Sequence, residues 1–193
     1  QRSLYHLKHK RKQDEIVILY DQKNGNEEVV NYLRRFSKLP NVQFWRGLDF
    51  NGHFADWKNI LTSYCNGDYI FQIDADEIPN ETLLNNLPSI LENNPENEVY
   101  LVPRVNTVEG LTQEHINKWG WNVNDKGWVN FPDYQWRVWK NLPEIKWKNK
   151  VHEVLDGFKT YSALPLDKGL ALYHPKTIDK QEKQNSYYES ISN

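Results

Sequence analysis

The sequence predicts an α/β fold built on a mostly parallel central sheet with helices on both faces. Short apolar, β-branched runs alternate with stretches whose apolar residues recur every three or four positions, and turn-forming residues separate them. Strands alternating with helices bury a parallel sheet between helical layers. The length, 193 residues, matches one ordinary domain with a substantial core, so a single domain over 1–193 is expected.

The elements follow in order. Residues 15–20 (EIVILY) read as a buried strand entering the loop Asp21-Gln22-Lys23-Asn24-Gly25. Asn26 is placed to cap a helix with Val29, Val30, Leu33 and Phe36 on one face, ending near Leu39-Pro40. Residues 42–45 are a second strand. Phe54, Trp57, Ile60, Leu61 and Tyr64 mark a second helix, stopped by Asn66-Gly67. Residues 68–73 form a strand that runs directly into Asp74-Ala75-Asp76-Glu77, and Leu83, Leu84, Leu87, Ile90 and Leu91 define a third helix. Residues 99–105 are a further strand. From 106 to 132 the sequence is rich in Trp, Gly and Asn with weak periodicity, which predicts a long, functionally shaped loop region. Residues 135–140 and 144–147 are expected to form a hairpin around Asn141-Leu142-Pro143, residues 169–173 a last strand, and the tail from Thr177 a polar helix.

Composition narrows the function. Lys and Arg number 24 against 26 Asp and Glu, a formal net charge of −2, so no global field favours nucleic acid or an anionic membrane and selectivity must come from a local site. No apolar run approaches the roughly 20 residues of a membrane span, so no integral membrane segment is expected. The single cysteine, Cys65, excludes an intramolecular disulfide and a cysteine-based zinc site and fits a cytoplasmic location. Aromatic side chains in polar settings, such as Trp119-Gly120-Trp121 and Trp136-Arg137-Val138-Trp139, suit sugar rings and fill cores equally well.

Chemistry concentrates where residues 68–73 end. Ligands of open α/β sheets gather at strand carboxyl ends, where loop side chains converge. Asp74 and Asp76 stand at such an end, and two hard carboxylates there suit Mg²⁺ or Mn²⁺ with positions left for phosphate oxygens. The competing reading is structural, since acidic residues after strands often cap the next helix. Glu77 in particular suits the first turn of that helix.

These residues resemble the core of family 2 glycosyltransferases. The stretch Phe50-Asn51-Gly52-His53-Phe54-Ala55-Asp56-Trp57-Lys58-Asn59, then Gly67-Asp68-Tyr69-Ile70-Phe71-Gln72-Ile73-Asp74-Ala75-Asp76-Glu77, follows the order of that family's donor-site motifs. Arg137-Val138-Trp139-Lys140-Asn141 followed by Val151-His152-Glu153 resembles a segment found in a subset of it. The resemblance implies a GT-A fold, with 1–105 as the nucleotide-sugar-binding part and 106–193 as the acceptor side. It also implies transfer of a sugar from a nucleotide-diphosphate donor to a glycan, lipid-linked or protein acceptor hydroxyl, with Mn²⁺ or Mg²⁺ and inversion of configuration.

Residue by residue, the resemblance implies that Asp21 contacts the nucleotide base and that Lys58 lies near the donor. Asp74 becomes a donor-contacting carboxylate and second metal candidate, Asp76 the direct metal ligand, and His174 a third metal or diphosphate ligand. Lys176 neutralises phosphate, and Glu153, with Asp156 behind it, is the candidate general base. Each has a plain structural alternative: a loop-initiating Asp21, a solvated Lys58, a hydrogen-bonded His174, a structural His152-Glu153 pair. Trp119, Trp121, Trp128 and Trp136 are candidates for an acceptor platform. Gln1-Arg2-Ser3-Leu4 resembles the late portion of the family's first helix, so a preceding strand is expected and the sequence reads as a fragment. Rival functions are a nucleotidyltransferase, for which no Gly-rich phosphate loop is visible, a metal-free glycoside hydrolase, and a sugar- or nucleotide-sugar-binding module without activity.

Overall fold

In the computed structural model, which describes residues 11–192, the apolar run near the start becomes strand β1 (Ile16–Asp21). The segment expected to be a helix remnant, residues 1–4, lies outside the described residues. The chain forms two compact units, one holding the described residues up to Ile70 with Lys140–Gly157, the other Phe71–Trp139 with the chain from Phe158 onward.

In the first unit β1 lies parallel to β2 (Val42–Leu48), Ile16 facing Val42 and Leu19 facing Trp45. They are joined through helix α1 (Glu27–Phe36). Asn26 caps α1 as its sequence position predicts, its Oδ1 accepting from the Val29 amide at 2.9 Å, and Val30, Leu33 and Phe36 are the buried face. Glu27 and Glu28 in the first turn and Arg34 and Arg35 in the last oppose the helix dipole favourably. Helix α2 (Phe54–Ser63) is capped by the His53 imidazole, Nδ1 accepting from the Asp56 amide at 3.2 Å.

Two further strands of this unit, β7 (Lys146–Lys148) and β8 (Val154–Asp156), form an antiparallel hairpin with Trp147 and Leu155 opposed and buried. Asn59 of α2 locks onto it, accepting from the Trp147 amide and donating to its carbonyl, both at 2.9 Å. The expected hairpin of 135–140 with 144–147 is therefore corrected. Each alternating segment has a different partner, because a period-two pattern states that a strand has a buried face without stating which strand covers its edge.

The second unit is organised by β5 (Val99–Glu109) and β6 (Val129–Lys140), which pair antiparallel, Arg104 facing Asp133. The sheet order is β3-β6-β5-β10-β4, with β3 (Tyr69–Phe71), β4 (Ile78–Pro79) and β10 (Leu172–Thr177), and β9 (Tyr161–Ala163) lies along the start of β5. β10 and β9 run parallel to β5, whereas β6 is antiparallel to β5 and β4 antiparallel to β10. The sheet is thus mixed, and the expectation of a mostly parallel sheet is corrected. Alternating strands and helices support a parallel sheet only when helices make the crossovers. Here β4 follows β3 after a short turn, and the connection from β5 to β6 reverses direction.

Helix α3 (Glu81–Asn93) begins at Asn80, whose side chain accepts from the Thr82 amide, and buries Leu83 and Leu87. The region expected to be loop from 106 to 132 is more ordered than its weak periodicity suggests. β5 runs on to Glu109, helix α4 (Gln113–Trp119) is closed by a Thr112–His115 capping box and a left-handed Gly120, and β6 starts at Val129. The last strand begins at Leu172 rather than 169, after a 3-10 turn at Lys168–Leu170, and runs into helix α5 (Ile178–Ser192). Val99, Tyr100, Val102, Val105, Val138, Trp139 and Leu172 form the core of the sheet, each fully buried aliphatic worth about 1.5–3 kcal/mol. Among the described residues no helix is long and apolar enough to cross a membrane.

Candidate functional site

After β3 the chain makes a tight turn from Asp74 to Glu77. The Glu77 amide donates to the Asp74 carbonyl at 2.9 Å, and the Asp74 amide donates back to Glu77 Oε2 at 3.1 Å. Glu77 enters β4, not the following helix, so its expected place in a first helical turn is corrected: Asn80 performs the capping and Glu77 is fully buried. A buried carboxylate needs cations, and two strands supply them. Arg137 Nη2, on β6, lies 2.6 Å from both Glu77 Oε1 and Asp74 Oδ2. Arg104 Nη1, on β5, is 3.0 Å from Glu77 Oε1, and its Nη2 is 2.7 Å from Asp133 Oδ2. Burial alone would lower the pKa of Arg137, but Asp74 and Glu77 raise it well above the usual range, so it is a permanent cation.

Strand register brings the remaining groups in. Tyr173 faces Ile78 across the antiparallel pair of β10 and β4, and His174 faces Asn106 across the parallel pair of β10 and β5, which sets His174 beside the turn. Asn106 Nδ2 donates to Asp133 Oδ2 at 2.8 Å, so its Oδ1 is the acceptor toward His174 Nδ1 at 2.8 Å. With Nδ1 donating to Asn106, Nε2 faces Asp76 Oδ2 at 3.2 Å, an ion pair when the ring carries both protons. The same oxygen receives Lys180 Nζ, from the first turn of α5, at 3.1 Å. Burial pushes the Asp76 pKa up, yet the hydrogen bonds and charges of His174 and Lys180 outweigh it and hold Asp76 well below the usual carboxylate range.

Asp76 and His174 therefore face each other, Asp74 turns its Oδ2 to Arg137, and Lys176 lies within electrostatic reach of Asp76. Its ammonium bonds Gln184 Oε1, and its pKa is lowered first by burial and then by Arg104 and Lys180, against the opposing charges of Asp76 and Glu77. The other four predicted residues belong to the first unit. Asp21 ends β1 and accepts from the Phe50 amide at 3.2 Å, the Lys23 amide at 3.1 Å and Asn24 Nδ2 at 2.6 Å. These bonds lower its pKa in spite of burial. Lys58 Nζ is 2.5 Å from Glu153 Oε1, both side chains largely buried, and stands over the Trp147 ring at 4.3 Å from its centroid. Asp156 is exposed and paired with Lys148, which lowers its pKa.

Sequence reasoning did not single out Glu77, Arg104, Asn106, Asp133, Arg137 or Lys180 for the site. A signal existed for the strand residues: Arg104 and Asn106 stand two apart, on one face, directly after the apolar residues 99–103, and Arg137 opens the buried run Arg137-Val138-Trp139.

A divalent cation such as Mg²⁺ or Mn²⁺ needs convergent hard donors. Among the described residues no group of three or more His, Cys, Asp or Glu side chains gathers as a metal site. Asp74 Oδ2 faces Arg137, leaving Asp76 Oδ2 and His174 Nε2 as the convergent pair. Two cis ligands at about 2.1 Å from one octahedral ion stand roughly 3.0 Å apart, close to the 3.2 Å observed. The Asn106 bond to Nδ1 is the outer partner that orients a ligating imidazole. The pair fits such an ion.

The fold is that of an α/β protein similar to S. aureus TarS. The crystal structure of S. aureus TarS 1-349 matches with a TM-score of 0.60 at 12% identity, over 90% of this chain and 56% of that one. The same fragment in complex with UDP-GlcNAc matches with a TM-score of 0.60 at 13% identity, over 90% and 53%. A longer TarS chain matches with a TM-score of 0.57 at 13% identity, over 95% and 35%. This chain thus spans little more than half the length of the two shorter structures and about a third of the longer one. No family model and no curated protein matches the sequence.

Proposed function

We propose that this chain is the donor-binding and catalytic part of a glycosyltransferase. It uses a nucleotide-diphosphate sugar, depends on Mn²⁺ or Mg²⁺, and inverts configuration at the anomeric carbon. The observation that carries this reading is Asp76 Oδ2 facing His174 Nε2 at 3.2 Å at the end of a sheet strand, with Asn106 orienting the imidazole. The order of sequence motifs resembling family 2 glycosyltransferases and the fold shared with TarS, captured with UDP-GlcNAc, support it.

In this reading Asp76 and His174 hold the cation, which when bound supplies Lewis-acid stabilisation of the leaving nucleoside diphosphate. Asp74 faces the donor from the same turn, held in place by Arg137, and Lys176 adds positive charge for phosphate. Asp21 recognises the base. Glu153 takes the proton of the acceptor hydroxyl, with Lys58 orienting its carboxylate through their 2.5 Å contact. Asp156, tied to Lys148 in solvent, is the second candidate base. The test is a panel of nucleotide sugars with Mn²⁺, read as nucleotide release in the wild type and in Asp76→Ala. Release that disappears in the variant supports the reading; unchanged turnover refutes the cation assignment.

A further inference from the structure

Lys180 stands on the one oxygen the proposed cation needs. Its Nζ is 3.1 Å from Asp76 Oδ2 and comes from α5, whereas His174 reaches that oxygen from β10. The two neighbours differ in freedom. His174 is buried and anchored at Nδ1 by Asn106, while the Lys180 side chain is 54% exposed on four rotatable bonds. An ammonium and a divalent cation cannot share one carboxylate oxygen at close range, because like charges a few ångströms apart repel strongly in a partly buried site. When a cation arrives, Lys180 is the group that moves.

Charge balance says where it goes. Asp74, Asp76, Glu77 and Asp133 stand against Arg104, Arg137, Lys176 and Lys180, four carboxylates to four cations, a formal sum of zero with His174 left out of the count. A divalent ion adds two positive charges, and a diphosphate bound to it offsets them while giving a displaced ammonium a new partner. We propose that Lys180 is a tethered counterion that occupies the Asp76 position before the cation binds and transfers to the donor diphosphate afterwards. This rests on the cation and diphosphate reading above and adds a role for a residue outside its motifs.

The consequence is two effects of opposite sign. In Lys180→Gln the competitor is gone, so Mn²⁺ alone, followed by calorimetry and by Mn²⁺ electron paramagnetic resonance, binds about two- to fivefold tighter, the scale of a partly exposed ion pair. In saturating Mn²⁺ the same variant binds UDP about tenfold more weakly, the scale of one charge-assisted contact to phosphate. Lys180→Arg keeps the charge and holds both constants near wild type. A residue that merely supports the fold would weaken both ligands together, and unfolding midpoints of the variants provide the control. Both constants unchanged, both weakened, or Mn²⁺ tightened with UDP unaltered would each overturn the proposal. If wild type and Lys180→Gln alike show no Asp76-dependent Mn²⁺ binding, the functional reading itself fails. If Mn²⁺ binds through Asp76 but Lys180→Gln changes nothing, only the counterion role fails.

Discussion

Replacing Arg137 by Met tests whether the acidic turn is held by a buried charge network. The guanidinium is nearly inaccessible and spans two carboxylates at 2.6 Å, one of them, on Glu77, completely buried. Removing one partner of a buried pair costs about 3–5 kcal/mol because the other charge is stranded. Two features place this case at the low end. Arg104 still reaches Glu77 Oε1 at 3.0 Å, and Asp74, more than a third exposed, recovers water. Arg137 Nε has no hydrogen-bond partner among the described residues, so its loss subtracts nothing.

The expected loss is about 3 kcal/mol, which for a chain of this size lowers the melting temperature by about 6–12 °C. Thermal and urea unfolding followed by circular dichroism measure it, and high salt leaves the difference in place because the pair is shielded from counterions. The double variant Arg137→Met with Glu77→Leu recovers much of the loss, since apolar groups of similar size can replace both ions. A shift under about 2 °C in the single variant, or strict additivity in the double one, would show that these groups do not stabilise each other.

Glu153→Gln is expected to reduce turnover about 10²–10⁴-fold while donor affinity, measured by calorimetry with UDP, stays unchanged; loss of UDP binding would make it a structural residue. The Cys65 thiol, half-buried and beside Glu15, is pushed up to about 11, first by burial and then by that charge, from 9.0. Between those values the unfolded chain releases the proton and the folded chain retains it, so this group's contribution falls as pH rises through that window. Wild type should therefore lose stability relative to Cys65→Ala from pH about 9 to about 11, with a constant difference between the two below it; parallel curves throughout would exclude the shift. In Gly157→Ala the new Cβ would lie 1.9 Å from the Glu144 carbonyl oxygen at a φ of +90°, so about 2–4 kcal/mol should be lost. Equilibrium urea unfolding reads this directly, and an unaltered midpoint would contradict the packing.

The caps and faces of the helices were legible because their signals are local. Asn26 sits one residue ahead of α1, and Val30, Leu33, Leu83 and Leu87 repeat at helical spacing, whereas the Asn80 cap of α3 came from the structure. The placement of Asp74 and Asp76 at a strand end was legible for the same reason. α4 was missed because seven residues with no buried side chain leave no periodic trace, although Thr112 and Gly120 marked its ends.

Taken alone, the sequence determined the longer helices, several of the strands and that two aspartates follow a buried strand, since those properties reside in neighbouring residues; α4, β8 and β9 left no such local signal. Tertiary structure alone decided that the sheet is mixed, that Glu77 is clamped by arginines 27 and 60 positions away, and that His174 Nε2 meets Asp76. Such contacts depend on which strands pair and in what register. That choice is made by burying the whole apolar surface at once while every buried charge finds its opposite, a condition no single segment contains.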